Sequence, residues 1–370
     1  MVSFLSSNHF IPGFVQTKAS TWQLITSDKF ILDIVKHGLK VPFLTQGPSL
    51  TEAPHSITPM SHAQKVILSA EINNLLCRGI VVQSHPQPGM IISPTFTTAK
   101  KDGSHRFILN LKAFNTFVEH FHFKMESLSD VLRIIQPGVW MASVDLKDAY
   151  YSIPIHRDDQ KYFTFLWEGR LYRFVCMPNG YTDGPRVFTK VLKAPFGTLR
   201  SQGNESVIYL DDGYLQGITY DLCLSNIHDT ISLLKSLGFF ISEKSVLHPT
   251  QELTYLGFIL NSKSMTITFT DKRKEKIWLL TCSMLDNPIQ CFRKVAGLIG
   301  MIIAALPGVM YGQMHYRRLN LALSIRKGNY NKNMTLSCKA LKDIKWWQLH
   351  VHNATSLFFH PPESFQIHFY

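Results

Sequence analysis

The sequence predicts an α/β (α+β) chain, with strands and helices interleaved up to about residue 270 and helices dominating after it. Three observations predict this. Strand-like stretches bounded by turn residues gather between residues 81 and 260, as in IISPTFTTAKKDGSHRFILNLKAFN, two strands about the turn Lys101-Asp102-Gly103-Ser104. Apolar residues at helical spacing fill SHAQKVILSAEINNLLCRGI (61–80) and HDTISLLKSLG (228–238). Charge is segregated as well: the chain carries +12, and residues 261–340 alone hold 13 basic against 3 acidic side chains.

Taken in order, TWQLITSDKFILDIVKHGLK (21–40) reads as a short amphipathic helix with a start signal at Ser27-Asp28. Residues 45–60, rich in Pro, Ser and Thr, read as a linker. The 61–80 helix ends at Gly79, a C-cap residue. The hairpin that follows sets Lys100 and Arg106 near its tip, and SLSDVLRIIQ (127–136) is a short helix with Ser127 and Asp130 at capping-box spacing. GVWMASVDLKDAYYSIPI (138–155) is a strand running into Asp145 and then a turn, and GPRVFTKVLKAPFGTLRS (184–201) begins as a helix. Residues 206–217 form a hairpin, Gly238 stops the next helix, and strands are expected around FFISEK and LTYLGFIL. Beyond, one helix starts at a Thr270 cap and Asn287-Pro288 opens another. LIGMIIAALPGVM (298–310) is a buried helix, too short for a bilayer and interrupted by Pro307. Residues 335–351 carry Leu336, Ala340, Ile344 and Trp347 on one face.

Composition narrows the class. With 370 residues, 45 % hydrophobic and 17 % charged, the chain can bury two or three subdomains, and extensive disorder is excluded. A basic block with helical periodicity suits a polyanion, nucleic acid before membrane; a basic helical region with no partner is the plainer alternative. The six cysteines (Cys77, Cys176, Cys223, Cys282, Cys291, Cys338) form no CxxC and read as reduced core residues of an intracellular protein. The sixteen histidines show no zinc spacing, and HFH at 120–122 reads as surface. No charged segment leads into a long apolar run at the N-terminus, so no signal peptide is expected. The sequence leaves cytoplasm and nucleus equally open.

The chemistry concentrates in SVIYLDDGYLQG (206–217), which sets Asp211 beside Asp212 inside an apolar stretch. Neighbours on a straight strand face opposite sides, so one carboxylate would enter the core. Asp-Asp-Gly supplies turn chemistry, and both carboxylates are expected at a hairpin tip. There they repel unless they share a cation, and Asp145 ends another apolar strand. Three converging carboxylates form a hard-oxygen site for Mg²⁺. A solvated Asp-Asp-Gly tip with no chemistry is the alternative.

At this point the sequence resembles reverse transcriptases. Tyr209-Leu210-Asp211-Asp212 is similar to their YxDD box and SVDLKDAYYSIPI to their first catalytic motif. FVCMPNGYTDGPRVFTK, GFFISEK, LTYLGF and the hairpin SPTFTTAKKDGSHRFILNLKAFN resemble the remaining motifs, all in the family's order over residues 80–260. MPNG, GPRVFTKVL, YLDDGYLQG, LPGVMYGQMHYRRLN and DIKWW resemble DIRS-type retrotransposons, which integrate by a tyrosine recombinase.

The resemblance implies a right-hand polymerase: an N-terminal extension and linker (1–60), fingers (61–119 and 153–183), palm (120–152 and 184–262), a thumb-like helical region (263–330) and the start of a connection (331–370). It implies an RNA-directed DNA polymerase adding dNTPs to a primer on an RNA or DNA template, with two Mg²⁺ ions for which Mn²⁺ can substitute. Asp145, Asp211 and Asp212 would be the catalytic, metal-holding carboxylates, with the Leu146 carbonyl as a further ligand. Arg106 and a lysine of the hairpin, Lys100 or else its neighbour Lys101, would hold the triphosphate. Tyr150 would sit beneath the sugar and clash with a 2′-hydroxyl, with Asp148 and Ala149 lining the same pocket. Asn179 and Gly180 would face the nucleotide, and Lys244 would protonate departing pyrophosphate. Tyr209, Leu256 and Gly257 would touch primer or template, and the basic helices after 270 would track the duplex through its phosphates.

Residues 341–370 contain only Asp343 and Glu363, too few acids for a ribonuclease H site, so a polymerase portion truncated before that domain is expected. Two other readings stand beside the enzyme. One is a catalytically inactive element copy that at most binds nucleic acid. The other is an RNA-dependent RNA polymerase, against which Tyr150 argues because ribonucleotides need the space below the sugar.

Overall fold

The structure, a computed structural model, describes residues 10–44, 60–99, 103, 105–324 and 330–357. The described chain divides into two compact units, Met1–Ser127 with Ser143–Leu215 and Leu224–Leu247, and Leu128–Ala142 with Gln216–Cys223 and His248–Tyr370. The predicted linker up to residue 59, and Lys100 to Asp102 and Ser104 of the predicted hairpin tip, fall outside the described residues.

In the first unit the helix expected over 21–40 is two helices, Ala19–Ile25 and Lys29–His37. The break has a local cause. The Thr26 Oγ1 accepts the Asp28 N–H at 3.1 Å and Asp28 Oδ1 accepts the Phe30 N–H at 2.9 Å, so the polar side chains replace one turn of helix and restart the next. Trp22 is fully buried and donates its ring N–H to the Leu237 carbonyl at 3.0 Å. The helix His62–Cys77 starts in a capping box, in which Ser61 Oγ accepts the Gln64 N–H and Gln64 Oε1 accepts the Ser61 N–H.

Thr95–Ala99 and His105–Leu109 pair antiparallel, with Thr98 opposite Arg106. A three-stranded sheet runs in the order Val81–Ser84, Arg170–Phe174, Thr164–Trp167. Phe107, Phe165 and Phe174 fill the core beside it with ring centroids 5.1 to 6.1 Å apart. The helix Gly184–Ser201 buries Val187, Phe188, Val191, Leu192 and Phe196 along one side.

A four-stranded sheet orders Ser206–Tyr209, Asp212–Gly217, Trp140–Asp145 and Val246–Thr250. The strand expected at FFISEK is not one: Ile241 makes a single bridge to Leu146, and the Ser245 N–H closes a turn on the Ser242 carbonyl before the strand begins at Val246. The helix before it is longer than expected, Tyr220–Ser236.

In the second unit Glu252–Tyr255, Phe258–Asn261, Thr266–Phe269 and Ser356–Leu357 form an antiparallel sheet. LTYLGFIL is a tight hairpin whose turn, Leu256 at φ 48 and Gly257 at φ 79, has the left-handed pair that matches strand twist. Asp271–Asp286 is helical, although Thr270 makes no side-chain cap. Asn287-Pro288 opens no helix. Asn287 Oδ1 accepts the Ile289 N–H at 2.9 Å, an Asx turn leading into the strand Ile289–Cys291, and the helix starts only at Phe292. That helix buries Leu298, Ile299 and Ile302 and ends at Ala305, short of the predicted Met310. Cys338–His350 buries Ala340, Ile344 and Trp347, and Leu336 is buried just ahead of it.

All six cysteines are free, but only Cys176 and Cys223 are core residues; Cys77 and Cys338 are exposed. No helix among the described residues is long and apolar enough to cross a membrane.

Candidate active site

In the 206–217 hairpin Tyr209 stands opposite Asp212, so the two-residue turn is Leu210-Asp211, with Leu210 at φ 53. Asp212 is therefore a strand residue, contrary to the expectation that both carboxylates occupy the tip. The left-handed position falls on Leu210, one step earlier than the Asp-Asp-Gly signal places it. Gly213 lies buried in the strand, where an added Cβ would come within 3.4 Å of Phe196 and of the Val144 carbonyl. Division between turn and strand leaves both carboxylates half-buried, and neither is lost to the core.

Asp145 is fixed through its backbone. Its N–H donates to Ser245 Oγ at 2.9 Å and its carbonyl accepts the Ser242 N–H at 2.8 Å. The next residue, Leu146, donates its N–H to the Asp211 carbonyl at 3.0 Å. Main-chain bonds thus join the strand end bearing Asp145 to the turn bearing Asp211.

The acids disturb one another. Burial raises the Asp211 carboxyl above the usual range, Asp145 adds to the rise, and Arg106 and Lys244 oppose it. Asp212 is pushed up to about 6 by burial, then by Asp211 and Asp145, with Lys244 opposing. The Tyr150 hydroxyl is raised to about 12, by burial first and then by Asp211 and Tyr209, and its ring packs edge-on against Phe188 at 5.5 Å.

A cavity of about 910 Å³ opens beside these groups. It is lined by Asp145, Leu146 and Asp211, by the run Asp148-Ala149-Tyr150, and by Arg106, Asn179 and Lys244. Nine of the residues singled out from sequence thus meet in one place. Asn179 Nδ2 donates to the Tyr151 hydroxyl at 3.4 Å, and exposed Gly180 offers its carbonyl to Asn115 Nδ2 at 2.9 Å. Asp212 and Tyr209 share the hairpin without lining the cavity, and Leu256 and Gly257 form the turn described in the second unit. Lys100 lies outside the described residues.

Sequence reasoning missed Phe14, Arg78, Lys235 and Phe240, which also line the cavity. Arg78 is ion-paired with Asp148. A lone arginine at a helix end, seventy residues from its partner, carries no local signal.

The donor set is chemically suited to a divalent cation: hard carboxylate oxygens whose repulsion a cation would relieve. Among the described residues, no group of three or more His, Cys, Asp or Glu side chains is placed to hold a metal ion, so the expected convergence of three carboxylates is not seen here.

Residues 98–260 match the family model described as reverse transcriptase (RNA-dependent DNA polymerase). Residues 98–260 thus resemble a reverse transcriptase domain, in a fold that is mixed α/β with antiparallel sheets. That domain is related to those of retroviral Pol. The chain is 26 % identical over 273 residues to the Gag-Pol polyprotein of walleye dermal sarcoma virus, covering 72 % of this chain and 14 % of the polyprotein. It is 24 % identical to the Pro-Pol polyprotein of simian foamy virus type 1, covering 61 % of this chain and 19 % of that one. It thus spans less than a fifth of either relative's length. Among solved structures, the foamy viral protease-reverse transcriptase in complex with dsDNA aligns with a TM-score of 0.67 at 18 % identity, over 94 % of this chain and 74 % of that one. The same viral protein with an RNA/DNA hybrid aligns at 0.63 and 18 % identity, over 95 % of this chain and 48 % of that one.

Proposed function

We propose that this chain is an RNA-directed DNA polymerase that adds deoxynucleotides to a primer 3′-hydroxyl. The observation that carries the reading is the cavity in which Asp145 and Asp211, joined through main chain, face Arg106, Lys244 and Tyr150 within a domain of reverse transcriptase type. In this reading Asp145, Asp211 and Asp212, with the Leu146 carbonyl, hold two Mg²⁺ ions. When bound, those ions would activate the primer hydroxyl and shield the charge of the departing pyrophosphate. The chain's own groups do the rest. Arg106 and Lys100 bind the triphosphate as cations. The Tyr150 ring, fixed against Phe188, occupies the volume a 2′-hydroxyl would need. Asp148, Ala149, Asn179 and Gly180 shape the nucleotide pocket, and Lys244 supplies the proton to pyrophosphate. Tyr209, Leu256 and Gly257 hold primer and template.

The subdomains follow in the same reading: fingers at 61–119 and 153–183, palm at 120–152 and 184–262, thumb-like helices at 263–330 and a connection from 331. The motifs MPNG, GPRVFTKVL and YLDDGYLQG support a DIRS-type origin. A tyrosine recombinase reading frame beside the coding sequence is the check on that origin.

The test of function is primer extension on an RNA template with the purified chain, Mg²⁺ and dNTPs, beside Asp145→Ala. Extension that vanishes in the variant is the expected result. A primer–template complex that forms and never extends would replace the reading with an inactive, nucleic-acid-binding copy.

A further inference from the structure

Arg78 ends the helix His62–Cys77 and belongs neither to the matched segment 98–260 nor to any of the sequence motifs. Its guanidinium pairs with the Asp148 carboxylate, and both side chains line the cavity while remaining about three-quarters buried, 25 % and 26 % exposed. Arg78 also lies over the Phe10 ring at 5.4 Å, which fixes its position from a second side.

Asp148 occupies an unusual place. It has left-handed backbone at φ 51 and leads directly into the turn Ala149–Ser152, which carries Tyr150. The charge balance of the cavity makes the pair matter. Its described lining holds five Lys or Arg and five Asp or Glu side chains, so losing one cation turns the wall net negative. A nucleoside triphosphate entering that space is itself strongly anionic.

We propose that Arg78 is a positioning residue for the incoming nucleoside triphosphate. It neutralises Asp148, which would otherwise repel the triphosphate, and it holds the 148–150 turn in the conformation that presents Tyr150 to the sugar. The proposal rests on the polymerase reading of this cavity and adds to it a residue that reads the substrate through another side chain. Partial burial makes the pairing consequential: a carboxylate left without its cation in a pocket partly shielded from water is costly, whereas two neutral groups there are not.

The experiment compares wild type, Arg78→Ala, Arg78→Lys and the double variant Arg78→Ala with Asp148→Asn. Two readouts are taken: KM and kcat for dTTP in primer extension, and dTTP affinity of the complex with a dideoxy-terminated primer–template. Arg78→Ala should weaken dTTP by about tenfold in KM and in affinity, the usual scale for unpairing one charge, with kcat changed much less. Arg78→Lys should keep part of the affinity, because it keeps the charge and loses the fork. Asp148→Asn added to Arg78→Ala should recover at least about threefold, since the repulsive charge is gone. A purely structural role instead predicts a lower melting temperature for Arg78→Ala that the double variant restores, with kcat falling together with dTTP affinity. Unchanged dTTP affinity in Arg78→Ala, or a double variant no better than the single one, overturns the proposal. The polymerase reading fails separately: a wild type that binds dTTP in the terminated complex but never extends the primer removes catalysis and still leaves the affinity comparison to decide the role of Arg78.

Discussion

Replacing Asp212 by Asn should make the protein more stable at neutral pH, and the structure says by roughly how much. Asp212 rises from an ordinary 3.8 to about 6 in the folded chain, because burial, Asp211 and Asp145 all disfavour its charge. A carboxyl whose folded pKa lies above its unfolded value binds its proton more tightly when folded. Its contribution is therefore fully favourable below the unfolded value and is lost as pH rises through about 6. Fully felt, that difference would be worth about 3 kcal/mol. The carboxyl is half-exposed, and solvent screening reduces the expected gain to about 1 kcal/mol. Urea unfolding without divalent ions at pH 7.5 should then show the Asp212→Asn midpoint higher by roughly 0.3 to 1 M. At pH 4 the gain should nearly vanish, and Mg²⁺ should shrink it at pH 7.5 by stabilising only the wild type. An Asp212→Asn protein no more stable than wild type at pH 7.5, or equally favoured at both pH values, would refute the electrostatic reasoning.

The remaining predictions are these. Tyr150→Val should raise the use of ribonucleotides relative to deoxynucleotides in primer extension by at least about tenfold, the scale of one steric discrimination; an unchanged ratio places the sugar gate elsewhere. Glu126 forms a forked ion pair with Arg200 and accepts the Ile208 N–H at 2.7 Å on the edge strand of the hairpin that carries Asp211. Glu126→Ala should cost about 2 kcal/mol by orphaning these donors, read as a lower urea midpoint, with Glu126→Gln costing less. Gly238 has φ +94, and a Cβ there would lie 2.9 Å from the Val15 backbone, so Gly238→Ala should lower the melting temperature, at a cost above about 1 kcal/mol.

What was legible in the sequence was what depends on neighbours along the chain. The helix in 61–80, the strand ending at Asp145 and the paired strands at 95–109 follow from local pattern, and each is present. Asp212 was misplaced because the turn uses Leu210, and nothing about a leucine announces a left-handed backbone. FFISEK looked like a strand because its apolar residues are buried; two of them, Phe239 and Ile241, pack in the core without a ladder of hydrogen bonds. Asn287-Pro288 carried a helix-start signal that the Asx turn outcompeted. For the site, the carboxylates and Tyr150 were found by motif, whereas Arg78 and Phe14 reach the cavity from the first eighty residues through tertiary packing alone.

Two bonds that join the candidate site's acidic corner run through main chain: Leu146 N–H to the Asp211 carbonyl, and Ser242 N–H to the Asp145 carbonyl. None of them depends on an acidic side chain. Mutational decay of the acids thus leaves those bonds in place, and where it relieves repulsion it favours folding. Under the proposed function, descendants that have lost these acids would accumulate as sound, well-folded proteins, still able to hold the same primers. For chains of this architecture, persistence of the fold is no witness to persistence of the reaction.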